Sequence, residues 1–462
     1  MDGLRARPLF AVRQSTRERR KQIMKRPAKI IGIALAAVLA AAAAFLLIPR
    51  EHGNLYASGE KMAVGGTVSV LAVWGGQELD VFNEMVKPFE NETGIQVRYE
   101  GTRDINAILT TRVQAGIPPD VAVLPGPGKM AEFARQGYLT DLGTVLNMDQ
   151  MHKDYAAGWL DMGTVDGSLV GVFMKVAIKG LVWYNPPALD SMGIAIPQTA
   201  QQLQAASDKL VSRGVTPWSI GLESGAASGW VGTDWLENIF LRMYGPDKYK
   251  DWYEGKLPWT SPELKSVWNA WGRIVADPKM VYGGKRYMLS TNFGQAAAPL
   301  FATPPEAYFH MQASFIQGFI REQFPSLEPG KDYNFFGFPP IEPQYAKAIE
   351  AGGDLVGLFN DTPQARAFVR YITTPEAQSF WTSGTGALSA NRNVSLVFYP
   401  DVLSKQAAKI LQDAEIVVFD ASDMMPGEMN NAFWSAVMSY VENPLNLDGV
   451  LSQLERVRKR AY

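Results

Sequence analysis

The sequence predicts an α/β protein of two lobes behind an exported N-terminal segment, and three observations carry that prediction. Short β-branched runs alternate with helical stripes from Thr67 onward, about 400 residues follow Gly66, and a basic stretch precedes an uncharged run of 19 residues. Alternation at that pace implies a mainly parallel sheet with crossover helices. The length exceeds what one ordinary core holds, so two lobes are expected.

Residues 1–29 form a basic n-region with ten Lys and Arg against Asp2 and Glu18. Ile30–Ile48 (IIGIALAAVLAAAAAFLLI) carries no charge, and a cationic flank before such a run stays on the cytoplasmic side while the rest crosses. The run is longer than a usual signal core of ~7–15 residues and close to the ~20 that span a bilayer. It reads either as a transmembrane anchor or as a signal h-region cleaved after Ala57. A start at Met24 would leave a conventional signal, and Arg19-Arg20 is a weak twin-arginine feature, with Gln22 where an aromatic usually stands. A buried core helix is disfavoured because the run has no polar face. Residues 49–66 lack an apolar period and read as a linker.

The formal charge of −2 conceals an asymmetry, since the chain beyond residue 29 carries −10. That sign argues against a nucleic-acid partner. The absence of cysteine excludes disulfides, thiolate metal sites, a Cys nucleophile and a lipoprotein cysteine together.

The elements follow in order. Thr67–Val73 is a strand ending at Trp74-Gly75-Gly76. Phe82, Met85, Val86 and Phe89 recur at helical spacing until Thr93-Gly94, and Ile95–Tyr99 alternates as a second strand. Ile105, Ile108 and Leu109 mark another helix, broken at Gly116–Pro119 before the buried strand Asp120–Leu124. A helix with Met130 and Phe133 ends at Gly137. Ala177–Tyr184 is a single β-rich run ended by Asn185-Pro186-Pro187. Thr199 can cap the next helix with Gln202 reaching back, its stripe holds Leu203 and Leu210, and Gly214 ends it. Trp230–Tyr287 reads as mostly helical.

This order of segments resembles the extracellular solute-binding proteins of carbohydrate ABC importers (family 1). The resemblance rests on VSVLAVWGGQE, FENETGIQVRYE, GIPPDVAVLP with FARQGYLTDL, DGSLVGVF with GLVWYNPPAL, and IPQTAQQLQAASDKLVSRGVTPWSIG, where Ala200 replaces the usual Trp. GWVGTDWLENIFLR is similar to the branch that imports α-glucosides and related oligosaccharides, and ARAFVRYITTPEAQSFWTSGTGALSA to the family's late helical passage. Together these span roughly 390 residues, and it is their number and order that persuade. The resemblance implies a hinged, two-lobed periplasmic-binding-protein fold, type II-like. It places lobe 1 at 67–176 plus 352–392 and lobe 2 at 177–351 plus 393–462, with crossings near Val176, Gly352 and Arg392. It also implies a sugar or oligosaccharide in the interlobe cleft, ABC permease subunits as partners and an extracytoplasmic location. No enzyme activity, catalytic residue, cofactor or metal is expected.

A sugar offers apolar ring faces that stack on aromatics and hydroxyls that need polar partners, so a cleft should pair the two at loop positions. Trp74, Gln77 and Glu78 follow the first strand, where open α/β sheets bind ligands; the competing reading has Trp74 plugging the sheet end and Glu78 capping a helix. Gly126, in Pro125–Gly128 after the third strand, can expose amides or simply turn the chain. The resemblance adds Trp230 and Asp234 and puts Phe315 where the family carries a ligand-stacking Trp, while the helical spacing of Trp235 and Ile239 reads as core. Asp354 and Arg392 are weaker candidates. Lys175, at the first crossing, reads as a solvated charge, and Trp252, Trp259, Trp268 and Trp271 as packing.

Two other functions are compatible with the sequence. A membrane-anchored glycoside hydrolase needs two carboxyls ~5–10 Å apart across the scissile bond; Asp and Glu are plentiful, but no nucleophile elbow, HExxH or P-loop appears, and His52, His152 and His310 give no metal spacing. A solute-sensing domain without transport would share the fold.

Overall fold

The computed structural model describes residues 65–414 and 416–462. The basic n-region, the apolar run 30–48 and nearly all of the linker lie outside the described residues. Among the described residues no helix is long and apolar enough to cross a membrane.

The first half builds as its periodicities dictate. Strand β1 (Thr67–Ala72) leads to helix α1 (Gln77–Thr93), which buries Phe82, Met85, Val86 and Phe89 and stops at Gly94 in the left-handed region, φ 70°. Strand β2 (Gln96–Gly101), helix α2 (Ile105–Gln114), strand β3 (Val121–Leu124) and helix α3 (Pro127–Arg135) repeat the cycle. β1 pairs parallel to both β2 and β3.

Strand β4 (Val172–Ile178) and strand β5 (Leu181–Tyr184) divide what the sequence presents as one β run. The division falls at Lys179-Gly180, where Gly180 has φ +67° and a Cβ would stand 1.9 Å from Asn238 Oδ1. Only glycine fits there, and its left-handed turn sends the chain from one sheet to another.

The second sheet has the order β8-β5-β7-β6, formed by β6 (Thr216–Trp218), β7 (Ala307–Gln312) and β8 (Asn334–Gly337) around β5. Helix α4 (Ala200–Ser212) carries the expected cap, with Thr199 Oγ1 accepting from Gln202 N at 3.2 Å. Helix α5 (Trp230–Tyr253) is broken at Gly245-Pro246, and every residue from Val231 to Arg242 is buried. A helix covered on all sides shows no amphipathic stripe. Helix α6 (Pro262–Val275) and helix α7 (Ile316–Gln323) complete this layer, and Trp235, Ile239, Trp252, Trp259, Trp268 and Trp271 are all in the core.

The long strand β9 (Ala348–Leu358) returns to the first sheet, whose order is β10 (Ile416–Phe419)-β9-β3-β1-β2, with β4 also paired to β9. Helices α8 (Pro363–Ile372) and α9 (Pro375–Thr385) follow, and α9 packs on α1. After α10 (Val402–Asp413), strand β10 (Ile416–Phe419) runs parallel to the start of β9. Helices α11 (Ala421–Met424), α12 (Gly427–Glu442) and α13 (Leu447–Ala461) close the chain, α11 and α12 packing on α5. Two sheets, each with its own helices, therefore meet where β4 and β10 end, beside the middle of β9.

Candidate functional site

A cavity of about 540 Å³ lies at this meeting place, within the usual range for small-molecule sites, ~300–1,000 Å³. Its floor is the antiparallel ladder of β4 and β9, with Lys175 opposite Asp354 and Ala177 opposite Gly352. One step on, Lys179 N–H donates to Glu350 O at 2.8 Å. Strand alternation puts Lys175, Ala177 and Lys179 on one face, and all three line the cavity. The middle of the floor stays low of necessity. A Cβ on Gly352 would stand 2.8 Å from Lys179 Cε, and one on Gly353 would stand 2.7 Å from Lys175 O.

Both lysines are held by carboxylates. Lys175 Nζ pairs with Glu78 and, at 3.1 Å, with Asp354; it also lies 5.6 Å from the Trp74 ring centre and 4.9 Å from that of Trp381. Lys179 Nζ pairs with Asp420 and, at 2.7 Å, with Asp234, and lies 5.5 Å from the ring centre of Trp230. Burial works against each ammonium, but the facing carboxylates outweigh it, and both stay protonated above the usual lysine range. Lys175 is thus no solvated charge: β4 carries it inward because its even spacing from Ala177 faces the ladder's covered side.

The two walls differ. On the first-sheet side stand Trp74, Glu78 and the segment Arg103–Ala107 with Thr110 and Thr111. On the other side stand Trp230, Phe293, Phe315, Phe319 and Trp434. Trp230 meets Phe293 edge-on at 5.1 Å and Phe315 at 6.0 Å, and both Trp230 and Phe315 remain half-buried, so ring surface is open to the cavity. Arg103 reaches over Phe293 at 5.6 Å. One wall is polar and the other aromatic.

Behind Lys179 lies a dense acidic group. Ligand oxygens of Asp234, Glu237, Glu350 and Asp420 all lie within 4.8 Å of one another, the one set with metal-ligand spacing among the described residues. The Lys179 ammonium already stands as a cation between two of them. Glu237 accepts from Ala421 N and Ser422 N at 3.2 and 3.1 Å, and Asn238 Nδ2 donates to Glu350. So many carboxylates cannot all ionise in a buried place. Burial and its neighbour Asp420 push Asp234 up to about 7 against the pull of Lys179. Burial foremost raises Glu237, Glu350 and Asp423 well above the carboxylate range. Asp420 alone is held low, since Lys179, Ser422 and the Asp423 amide overcome its burial.

Residues 75–379 match the family described as bacterial extracellular solute-binding protein. The chain belongs to this family. It is 38% identical over 392 residues to the osmoprotective compounds-binding protein GgtB of Synechocystis sp., covering 84% of this chain and 91% of the relative. It is 33% identical over 394 residues to the alpha-glucosides-binding periplasmic protein AglE of Rhizobium meliloti, covering 83% and 85%. Among solved structures, a chitin oligosaccharide binding protein shares the fold with TM-score 0.75 at 19% identity, covering 86% of this chain and 99% of that one. These likenesses agree with the α/β, two-lobed solute-binding fold that the sequence implied.

In this solute-binding protein the cavity collects five of the residues singled out from sequence: Trp74, Glu78, Trp230, Phe315 and Asp354. Trp74 is only 2% exposed, packed among Tyr99, Phe82 and Trp381, with Nε1 donating to Asp354 Oδ2 at 2.6 Å. Four others stand outside the lining. Gln77 Nε2 donates to Gly384 O at 3.1 Å. Gly126 lies against the Asp423 backbone, where a Cβ would approach to 2.5 Å, so it admits a close chain contact. Asp234 stands behind Lys179. Arg392 N–H donates to Asp154 O at 2.8 Å.

Sequence reasoning did not single out Arg103, Lys179, Phe293, Phe319, Asp420 or Trp434. Asp420 was findable: it ends the run Ile416–Phe419 as Trp74 ends the first strand, and the same loop-after-strand argument applies. Phe293 and Phe319 give no such signal, because nothing local distinguishes them from core aromatics.

Proposed function

We propose that this protein is the extracytoplasmic substrate-binding subunit of an ABC importer, taking a sugar or oligosaccharide between its lobes and delivering it to permease subunits. The observation that carries the reading is the cavity itself: open aromatic surface at Trp230 and Phe315 faces a polar wall across a floor of charged side chains. That pairing suits a ligand with apolar ring faces and a hydroxyl rim. Relatives that bind alpha-glucosides and osmoprotective compounds point the same way. Residues 30–48 serve export, as an anchor or as a signal. The lobes exchange chain near Val176 and Gly352.

The protein binds without turnover in this account. Glu78 and Asp354 are both engaged by Lys175, and Asp420 by Lys179, which argues against these three serving as the free carboxyl pair that glycoside hydrolysis uses. Calorimetric titration with maltose and raffinose tests the reading, followed by recovery of the bound sugar. Saturable binding with intact sugar supports it. No binding of any sugar, or release of shortened sugar dependent on one carboxylate of this chain, overturns it.

A further inference from the structure

Lys175 and Lys179 form a matched pair. They are four residues apart on the single segment that leads from the first sheet to the second, a separation of about 13 Å along an extended chain. Each stands at one end of the cavity floor, each is clamped by two carboxylates, and each lies against a tryptophan: Lys175 by Glu78 and Asp354 near Trp74, Lys179 by Asp234 and Asp420 near Trp230. Between them the floor is flat, made of Ala177, Gly352 and Gly353. An ammonium has three N–H donors. Two carboxylates engage two of them in each case, and both residues line the cavity.

We propose that Lys175 and Lys179 are paired specificity-determining residues, each presenting its remaining N–H to a hydroxyl or ring oxygen of the ligand at opposite ends of the floor. The inference rests on the carbohydrate reading of the cavity and adds to it which groups read the sugar. The chemistry suits the task. A clamped ammonium has lost its rotational freedom before the ligand arrives, so its third donor is already aimed. Charge-assisted donors are also about twice as strong as neutral ones. The carboxylates already offset the ammonium charge, so the ligand need supply only lone pairs and no negative charge. An uncharged, hydroxyl-rich ligand long enough to meet both ends fits that requirement.

Two measurements on the full chain in detergent test the pair, with maltose and raffinose as probes. First, lysine side-chain ammonium signals are recorded by ¹⁵N NMR. Buried, clamped ammoniums exchange slowly and stay visible, and Lys175→Arg and Lys179→Arg assign them. Saturating sugar should shift both signals. Second, charge-balanced variants are titrated: Lys175→Met with Glu78→Gln, and Lys179→Met with Asp420→Asn. Each should bind at least tenfold more weakly than the parent. If the parent binds sugar while neither ammonium signal moves, or if both folded double variants bind within twofold of the parent, the pair has no role in recognition. If the parent binds neither probe nor any other sugar, the carbohydrate reading itself falls, and the pair with it. Should a double variant fail to fold, the parent's NMR signals still decide.

Discussion

Alanine at Trp230 and alanine at Trp74 should have opposite consequences, although both residues line the cavity. Trp230 is half-buried and presents ring surface, with Phe293 and Phe315 behind it. Removing it takes away a stacking platform, for which a loss of about 1–3 kcal/mol in binding is the scale of a well-packed anchor, or roughly five- to 150-fold in Kd. Trp74 is 2% exposed, and its contacts with Phe82, Tyr99 and Trp381 are those of a core residue. Its truncation should cost about 3–5 kcal/mol of folding stability, the range for a buried Trp→Ala. It also frees Asp354 from the indole donor. Calorimetry for binding and thermal melting for stability read the two effects separately. Trp230→Ala should melt closer to the parent and bind weakly, while Trp74→Ala should melt much lower. Parent-like affinity in Trp230→Ala, or a parent-like melting temperature in Trp74→Ala, would refute the assignment of one ring to the ligand and the other to the fold.

Other outcomes follow from the same geometry. Asp234, pushed up to about 7 by burial, binds its proton more tightly folded than unfolded; stability should fall as pH rises between about 4 and 7, by at most about 1.4 kcal/mol per pH unit from this group. Asp234→Asn should flatten that slope in melts across the range, and an unchanged slope would sink the account. His310 is buried with Nδ1 on Ser219 O and depressed to about 4 by that burial. It works in the opposite sense, its contribution being lost as pH falls below about 6.5, which melts of His310→Gln would reveal. Gly180→Ala should destabilise by about 1–3 kcal/mol, since the left-handed φ and the 1.9 Å approach to Asn238 both oppose a Cβ; a neutral outcome in a denaturant titration would contradict that. Protein begun at Ser58, without the apolar run, should purify folded and without detergent, and a need for detergent would place a second membrane contact in the folded part.

Much of this architecture is legible because it is local. The stripe Phe82–Phe89, its stop at Gly94 and the cap at Thr199 depend on neighbours in sequence, and the structure has them. The division of the β run at Lys179-Gly180 is not local. It depends on Asn238, brought from α5 to crowd Gly180, and no pattern within residues 177–184 contains that contact. The site shows the same limit. Trp74 and Trp230 look alike in sequence as aromatics at the edge of an element, yet one is enclosed by Tyr99 and Trp381 and the other is left open. Lys175 reads as a surface charge until β9 places Asp354 opposite it. The acidic group at Lys179 gathers residues from α5, β9 and the end of β10, with Asp420 lying 241 positions from the lysine it holds, so only the assembled fold shows it.

The most direct test of the account is a thermal-shift screen of the parent protein against neutral mono- and oligosaccharides, amino acids, polyamines and inorganic anions. A ligand present at a hundred times its dissociation constant adds about 2.7 kcal/mol of stability, well within reach of a melting curve. The account predicts that one or more neutral sugars raise the melting temperature and that the other classes leave it unchanged. A rise with an amino acid, a polyamine or an anion, and none with any sugar, would contradict it.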